Sequence, residues 1–395
     1  MNSAPKVVHV VISLSPGGLE RLVVDWTNAR NARFPGSTAI CCLDAPGELA
    51  DRVPGDALLC LAADRSRFPW DRGAVQRLRS HIRAWPSAPS LAGADERTAG
   101  VGPRAPVILH SHNLAAQQYA ALARSGIRAR HVNTQHGANT HLLSPWNRLR
   151  SRLLCHLTDG IVAVSAATAR AMSRNQGLRL ARIRVIPNGV SAPPAVPEPE
   201  IEEARRQCGL ARGRTVIGSV GRLSPVKGYE RLLEAMAPIC GEAGSPVTLL
   251  LVGEGPERSY LQSLAREFGI LEHVVFAGFQ REPRRFLSLM SFFVLPSRSE
   301  GLSVALLEAM AAGVPVLATK VGENSAILDH GECGTLLPDE EVLWPEIILQ
   351  HLSPEGRAAA RARAGRAAER VKAAYSLERT LDAYEELYRE LAQRG

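Results

Sequence analysis

Short apolar runs alternate with amphipathic stretches along nearly the whole chain, and few folds satisfy that pattern. In the first half the runs are KVVHVVIS, STAICCL, PVILHSH, RHVNTQH and GIVAVS. In the second half they are TVIGSVG, VTLLLVG, HVVFAG, SFFVLPS and VPVLAT. Runs this short and this apolar read as strands of a parallel sheet buried on both faces. Between them, GGLERLVVDWTNAR, NLAAQQYAALARSG, GYERLLEAMAPIC, ERSYLQSLAREFG and VALLEAMAAG carry apolar residues at helical spacing. Parallel strands need crossover connections, so the expected class is α/β. A length of 395 residues exceeds one comfortable core. Two doubly wound, Rossmann-like domains are therefore expected.

The boundary shows in charge as well as in proline. Residues 1–190 hold 24 Lys and Arg against 11 Asp and Glu, whereas residues 191–395 hold 23 against 28. The sign changes within the proline-rich stretch PNGVSAPPAVPEPE, from Pro187 to Glu200, which suits a linker. The expected domains are 1–190 and 191–375. The amphipathic SLERTLDAYEELYREL makes 376–395 a last helix packing back on the first domain. A second biased stretch, Trp85 to Pro106, lacks periodicity and reads as a surface loop.

Other classes are disfavoured. No apolar run approaches the ~18 residues of a membrane span. The opening KVVHVVISLSPGGLE carries His9 and has no small-residue cleavage site, so it reads as a buried strand and not a signal peptide. Seven cysteines without a C-x-x-C suit a cytosolic protein without a disulfide framework or zinc ribbon. The basic half admits nucleic acid, an anionic membrane or a phosphorylated ligand. It shows no aromatic-basic interleaving or recognition motif, which argues against nucleic acid.

In doubly wound domains ligands sit beyond the carboxyl ends of the strands. There SVGRLSPVKGYERLL places Arg222 and Lys227, a pair suited to a diphosphate, although a solvated basic loop reads the same way. LLLVGEGPERSYL carries Gly253 in a G-x-G, and SPGGLERLV carries Gly17 and Gly18; both suit close backbone approach to a ligand or a tight turn. SRSEGLSVALLEAMAAGVPVLAT holds Glu300 at the mouth of a helix and Glu308 inside it, with seven residues between them. Free amides at that helix start suit a phosphate, and carboxylates beside them suit sugar or ribose hydroxyls.

This stretch resembles the Glu-x7-Glu signature of retaining family-4 glycosyltransferases, which have the GT-B fold of two Rossmann-like domains facing each other across a cleft. The resemblance extends to GSVGRLSPVKGYERLLEAM, LLLVGEGPERSYLQSLA, VVFAGFQ, VIPNGV and the N-terminal glycine loop, and is strongest from Val185 to Leu337. It implies a metal-independent hexosyltransferase without a cofactor. Its donor would be a nucleotide-diphosphate sugar of UDP or GDP type, and its acceptor a sugar or lipid-linked sugar in bacterial surface polysaccharide or glycolipid assembly. By position, Glu300 would contact donor-sugar hydroxyls and Glu308 the ribose, while Arg222 and Lys227 would hold the diphosphate. The amides of Gly301, Leu302 and Ser303 would assist, with Phe279 and Gln280 near the base. NTQHGANT resembles the family segment that sets a histidine by the donor sugar, here His136. Leu302-Ser303 stands where the family often has Phe-Gly, so sugar specificity is not legible there. A GT-B epimerase or hydrolase acting on a nucleotide sugar is the alternative.

Two further features belong to the basic half. LHSHN sets His110 and His112 on one strand face as a metal pair without a third ligand, which favours a structural or acceptor-side role over a metal. SPWNRLRSRLLCHLTDG sets Trp146, Arg148, Arg150 and Arg152 among leucines, as in a helix resting on an anionic membrane or simply solvated on one face.

Overall fold

A computed structural model describes residues 4–64, 66, 70–85, 106–137, 144–192, 195–241 and 244–394. Most of the biased stretch from Trp85 to Pro106 lies outside them. The chain forms two compact units, Met1–Pro187 with Thr380–Gly395, and Asn188–Arg379. Each is a parallel sheet flanked by helices.

The first sheet contains β1 (Val7–Val11), β2 (Thr38–Cys42), β3 (Leu58–Cys60), β4 (Val107–His112), β5 (Ala129–Gln135), β6 (Gly160–Ala163) and β7 (Ile183–Val185). Their order is β3-β2-β1-β4-β5-β6-β7. The second contains β8 (Thr215–Val220), β9 (Val247–Val252), β10 (Val274–Gly278), β11 (Phe292–Leu295), β12 (Val316–Thr319) and β13 (Thr335–Leu337). Their order is β10-β9-β8-β11-β12-β13. In both, strand order reverses beside the first strand, which creates a crevice at the carboxyl ends of β1 and β4, and again of β8 and β11. Ile217, Leu249, Leu251 and Val294 pack beneath Leu232, Leu233 and Met236 of the helix Tyr229–Cys240. Val8, Val10, Cys41 and Leu109 do the same beneath Leu78, Tyr119 and Ala120.

The longer strands fall where the apolar runs place them. The sequence reading omits β3, β7 and β13, three residues each, because runs so short carry no measurable period. It also omits the helix Pro354–Ala374, whose buried stripe is Ala360, Ala364, Ala367 and Val371. Alanines on an arginine-rich helix give little contrast between faces.

The last helix, Leu377–Gln393, is joined to the first unit by a buried ion pair. Arg30, on the helix Gly18–Arg33, donates through Nε to Glu385. Its Nη1 donates to Ser37 Oγ at 2.8 Å and Thr38 Oγ1 at 2.8 Å, and Nη2 to the Pro5 carbonyl at 2.7 Å. Both partners are almost fully buried. Such a pair is costly to break from one side, because the other charge stays buried. Glu385→Ala is therefore expected to lower stability by about 3–5 kcal/mol. Urea unfolding of the full chain measures it, and a loss below about 1 kcal/mol would show that the pair does not hold the helix.

Candidate functional site

In the second unit the chemistry gathers where β8 and β11 lie side by side. The loop after β8 carries Arg222 and a short turn, Pro225–Lys227; the loop after β11 carries Ser297 and Glu300. Lys227 Nζ donates to Glu300 Oε1 at 2.7 Å, and Ser297 Oγ donates to the same oxygen at 2.6 Å. Lys227 and Glu300 are largely enclosed, and Ser297 is fully buried. Glu300 Oε2 and the two other ammonium protons of Lys227 make no further hydrogen bond among the described residues. Arg222 is exposed and has no ion pair among the described residues. The sequence alone sets these groups on different parts of a ligand, but here the lysine and the glutamate also hold each other.

Two glycines fix the surrounding backbone. Gly253 has φ +146°, and a Cβ there would lie 1.9 Å from the Gly221 carbonyl oxygen, so the loops after β8 and β9 touch directly. Gly253 N donates to the Gly278 carbonyl at 2.9 Å, which brings Phe279 alongside, and Gln280 Nε2 donates to the Ala277 carbonyl at 2.8 Å. Gly322, at φ +58°, would set a Cβ 2.3 Å from the Glu300 carbonyl oxygen. Only glycine suits such a left-handed, crowded position. After Gly301, Leu302 and Ser303 are buried, and Ser303 Oγ accepts from Leu306 N at 3.4 Å to cap the helix Val304–Ala311. Glu308 is half-buried on that helix and has a partner of its own. Ser297 and Gly322 are absent from the sequence reading, since neither is chemically conspicuous until the sheet brings it to Glu300.

In the first unit β1, β4 and β5 hold a cluster of histidines that runs from mid-strand, at His9 and His131, to the strand ends at His112 and His136. His9 and His110 are register partners on adjacent strands, and their ring centroids are 5.0 Å apart. His9 Nδ1 lies 3.1 Å from His112 Nε2, and His112 Nδ1 lies 3.0 Å from His136 Nε2. His110 Nδ1 meets the Tyr388 hydroxyl at 2.6 Å and its Nε2 meets Thr134 Oγ1 at 2.7 Å. His131 Nε2 meets Ser111 Oγ at 2.8 Å. Trp26 and Tyr384 cover the cluster with their rings. Burial holds His136 and His131 near a pKa of about 3, with Arg124 adding to the effect on His131. Burial and then Arg30 hold His9 at about 3. Burial, reinforced by the neighbouring histidines, lowers His110 and His112 well below the usual histidine range.

His9 is the third histidine that the sequence reading lacks for a metal. The nitrogens of His9, His110 and His112 lie within 4.8 Å of one another. Both nitrogens of His110 and both of His112 lie within hydrogen-bond distance of neighbouring side chains. Near Gly17 and Gly18, the side of Gly17 where a Cβ would point is taken by the Glu20 carboxylate, 2.0 Å from that position.

Comparison with known proteins places this architecture. Residues 200–368 match the family described as Glycosyl transferases group 1, and residues 16–192 match Glycosyltransferase Family 4. A 2-deoxystreptamine glucosyltransferase of Streptomyces kanamyceticus is 30% identical over 277 residues, covering 64% of this chain and 70% of that protein. A D-inositol 3-phosphate glycosyltransferase of Corynebacterium urealyticum is 31% identical over 278 residues, covering 65% of each. Thus the chain spans about two thirds of the length of these curated relatives. Anabaena HepE, solved with UDP and glucose, superposes with a TM-score of 0.80 at 21% identity, over 98% of this chain and 100% of that one. The fold is GT-B. The chain belongs to the group 1 glycosyltransferases and is an enzyme of that class.

The buried histidines also make stability depend on pH. In the unfolded chain they take up protons near pH 6.5, whereas in the fold they stay neutral to far lower pH. Their contribution is fully present above pH 6.5 and is lost as pH falls toward the folded values of about 3. Each histidine lowers stability by up to about 1.4 kcal/mol per pH unit in that window. Urea midpoints measured at pH 7.5, 6.5 and 5.5 should be level at first and then fall steeply. A midpoint unchanged down to pH 5.5 would show that these groups protonate as readily folded as unfolded.

Proposed function

We propose that this glycosyltransferase moves a hexose from a UDP- or GDP-type nucleotide-diphosphate sugar to a hydroxyl of a sugar or lipid-linked sugar, with retention at the anomeric carbon. The observation that carries the reading is the Lys227–Glu300–Ser297 cluster at the ends of β8 and β11. Lys227 and Arg222 face the departing diphosphate and stabilise its growing charge. Glu300, its Oε1 held by Lys227 and Ser297, accepts from sugar hydroxyls through Oε2. The amides of Gly301, Leu302 and Ser303 complete the anion site, Glu308 takes the ribose, and Phe279 and Gln280 border the base. The acceptor hydroxyl attacks from the face that the diphosphate leaves, so no carboxylate nucleophile is required. The relatives' own names and the UDP and glucose bound to HepE support this donor class. Two cations at the leaving group make the transfer independent of an added metal.

Removing a charge-stabilising contact typically costs 10²–10³ in rate. Glu300→Gln and Lys227→Ala should each lose at least that factor. Because the pair is largely enclosed, Lys227→Ala also lowers stability, so turnover is compared at a temperature and urea concentration where each variant is shown to be folded. The assay is nucleotide release from a panel of nucleotide sugars, with the product's anomeric configuration read by NMR. Release should require acceptor, proceed in EDTA and give a retained linkage. Near-wild-type turnover in either variant, or an inverted product, would overturn the assignment. Release without acceptor would favour a hydrolase.

For pathway and location, this reading draws its support from the first unit. No helix among the described residues is long and apolar enough to cross a membrane. The helix Pro145–His156 exposes Trp146, Leu149 and Leu153, followed by Leu157, one apolar stripe at helical spacing. Arg148 and Arg152 are exposed beside it. This suits peripheral attachment to the anionic inner face of a membrane, where a lipid-linked acceptor for surface polysaccharide or glycolipid is found. Binding should be reversible, stronger on anionic than on neutral vesicles, and weakened by salt. Replacing Arg148 and Arg152 with glutamine should weaken cosedimentation by about thirtyfold, at about 1 kcal/mol per basic residue. Nucleotide affinity should be unchanged. Equal binding to both vesicle types would exclude the attachment.

A further inference from the structure

His9, His112 and His136 form a chain in which each ring is bonded only through nitrogen to the next. The two contacts are His9 Nδ1 to His112 Nε2 at 3.1 Å and His112 Nδ1 to His136 Nε2 at 3.0 Å. Each distance suits a hydrogen bond with one proton between two nitrogens. Two protons in either gap would clash, and none would leave two lone pairs opposed. A neutral imidazole carries one proton, on Nδ1 or on Nε2. Burial keeps the three rings neutral.

These conditions leave two arrangements. If His136 carries its proton on Nδ1, its bare Nε2 must accept from His112 Nδ1–H. His112 Nε2 is then bare and accepts from His9 Nδ1–H, so all three rings are Nδ1–H. If His136 carries its proton on Nε2, the same chain runs backwards and all three are Nε2–H. Mixed assignments leave one gap with two protons or none. The state of His136 is therefore tied to that of His9, two rings away.

The two free ends select between them: unlike His136 Nδ1, His9 Nε2 is not a buried nitrogen without a partner, so it can carry the proton. His136 Nδ1 is buried and has no hydrogen-bond partner among the described residues. A buried N–H without an acceptor is rarer in proteins than an unfilled acceptor. We infer that His9, His112 and His136 share the Nε2–H tautomer, so that His9 and His112 are positioning residues that hold His136 Nδ1 as a bare acceptor for a hydroxyl of the bound ligand. The functional half of this inference rests on the family resemblance that sets His136 beside the donor sugar. His110 stands outside the chain, because its hydroxyl partners, Tyr388 and Thr134, can each donate or accept.

The test is ¹⁵N NMR of the full chain labelled at histidine, assigned with single-histidine variants and read between pH 7 and 8. The expected spectrum shows His9, His112 and His136 all as Nε2–H. His112→Phe should release the constraint, giving His136 a mixture of tautomers and lowering kcat about tenfold with KM within about twofold, the scale of one hydrogen bond to the ligand. Unlike tautomers among the three rings, or a shared Nδ1–H form, would overturn the inference, and the wild-type spectrum alone decides this even if the variant does not fold. Stoichiometric Zn²⁺ that moves the three signals together to metal-bound positions would overturn it too. A His136 tautomer unchanged by His112→Phe would remove the coupling. A fully active His136→Ala enzyme would overturn the positioning role through failure of the donor-site reading, with the spectrum showing that failure to be separate.

Discussion

The pairing of β8 with β11 brings together segments separated by 73 residues of sequence, and the candidate donor site depends on it. Connections between parallel strands are right-handed, so chains that leave neighbouring strands toward opposite sides of the order open a crevice between their first turns. Lys227 enters that crevice from β8 and Ser297 and Glu300 from β11. Their contact holds a carboxylate and an ammonium, both largely enclosed, as a neutral pair. The close backbone contacts of Gly253 with Gly221 and of Gly322 with Glu300 then leave these loops little room to shift.

The first unit uses the same place in its own sheet differently. Beside the β1–β4 pairing stand four neutral histidines, covered by Trp26 and by Tyr384 and Tyr388 of the last helix. Their proximity is a consequence of register: neighbouring parallel strands lie about 4.8 Å apart, which is close to the 5.0 Å between the rings of His9 and His110. The last helix is fixed there by the Arg30–Glu385 pair and the tyrosine contacts, so the segment farthest along the chain closes over the first strand.

Much of the fold is legible in the chain because buried parallel strands need unbroken apolar runs and crossover helices need a 3.6-residue stripe. Legibility fails where those signals are weak. The three-residue edge strands are too short to show a period, and the Pro354–Ala374 helix buries alanines that hardly differ from its exposed face. At the site, Arg222, Lys227, Glu300 and Glu308 stand out because charged groups beside apolar strand ends are conspicuous. Ser297 and Gly322 do not, since serine and glycine are ordinary in loops.

The sequence by itself determined the class of fold, the charge difference between the halves and which charged side chains end up at strand ends, because periodicity and local composition act over a few residues. Tertiary structure alone decided that Lys227 and Glu300 bind each other, that His9 joins His112 and His136, and that Glu385 neutralises Arg30. Each of these contacts joins residues from different elements, and only the order and register of the strands and the docking of the last helix bring them within hydrogen-bond distance.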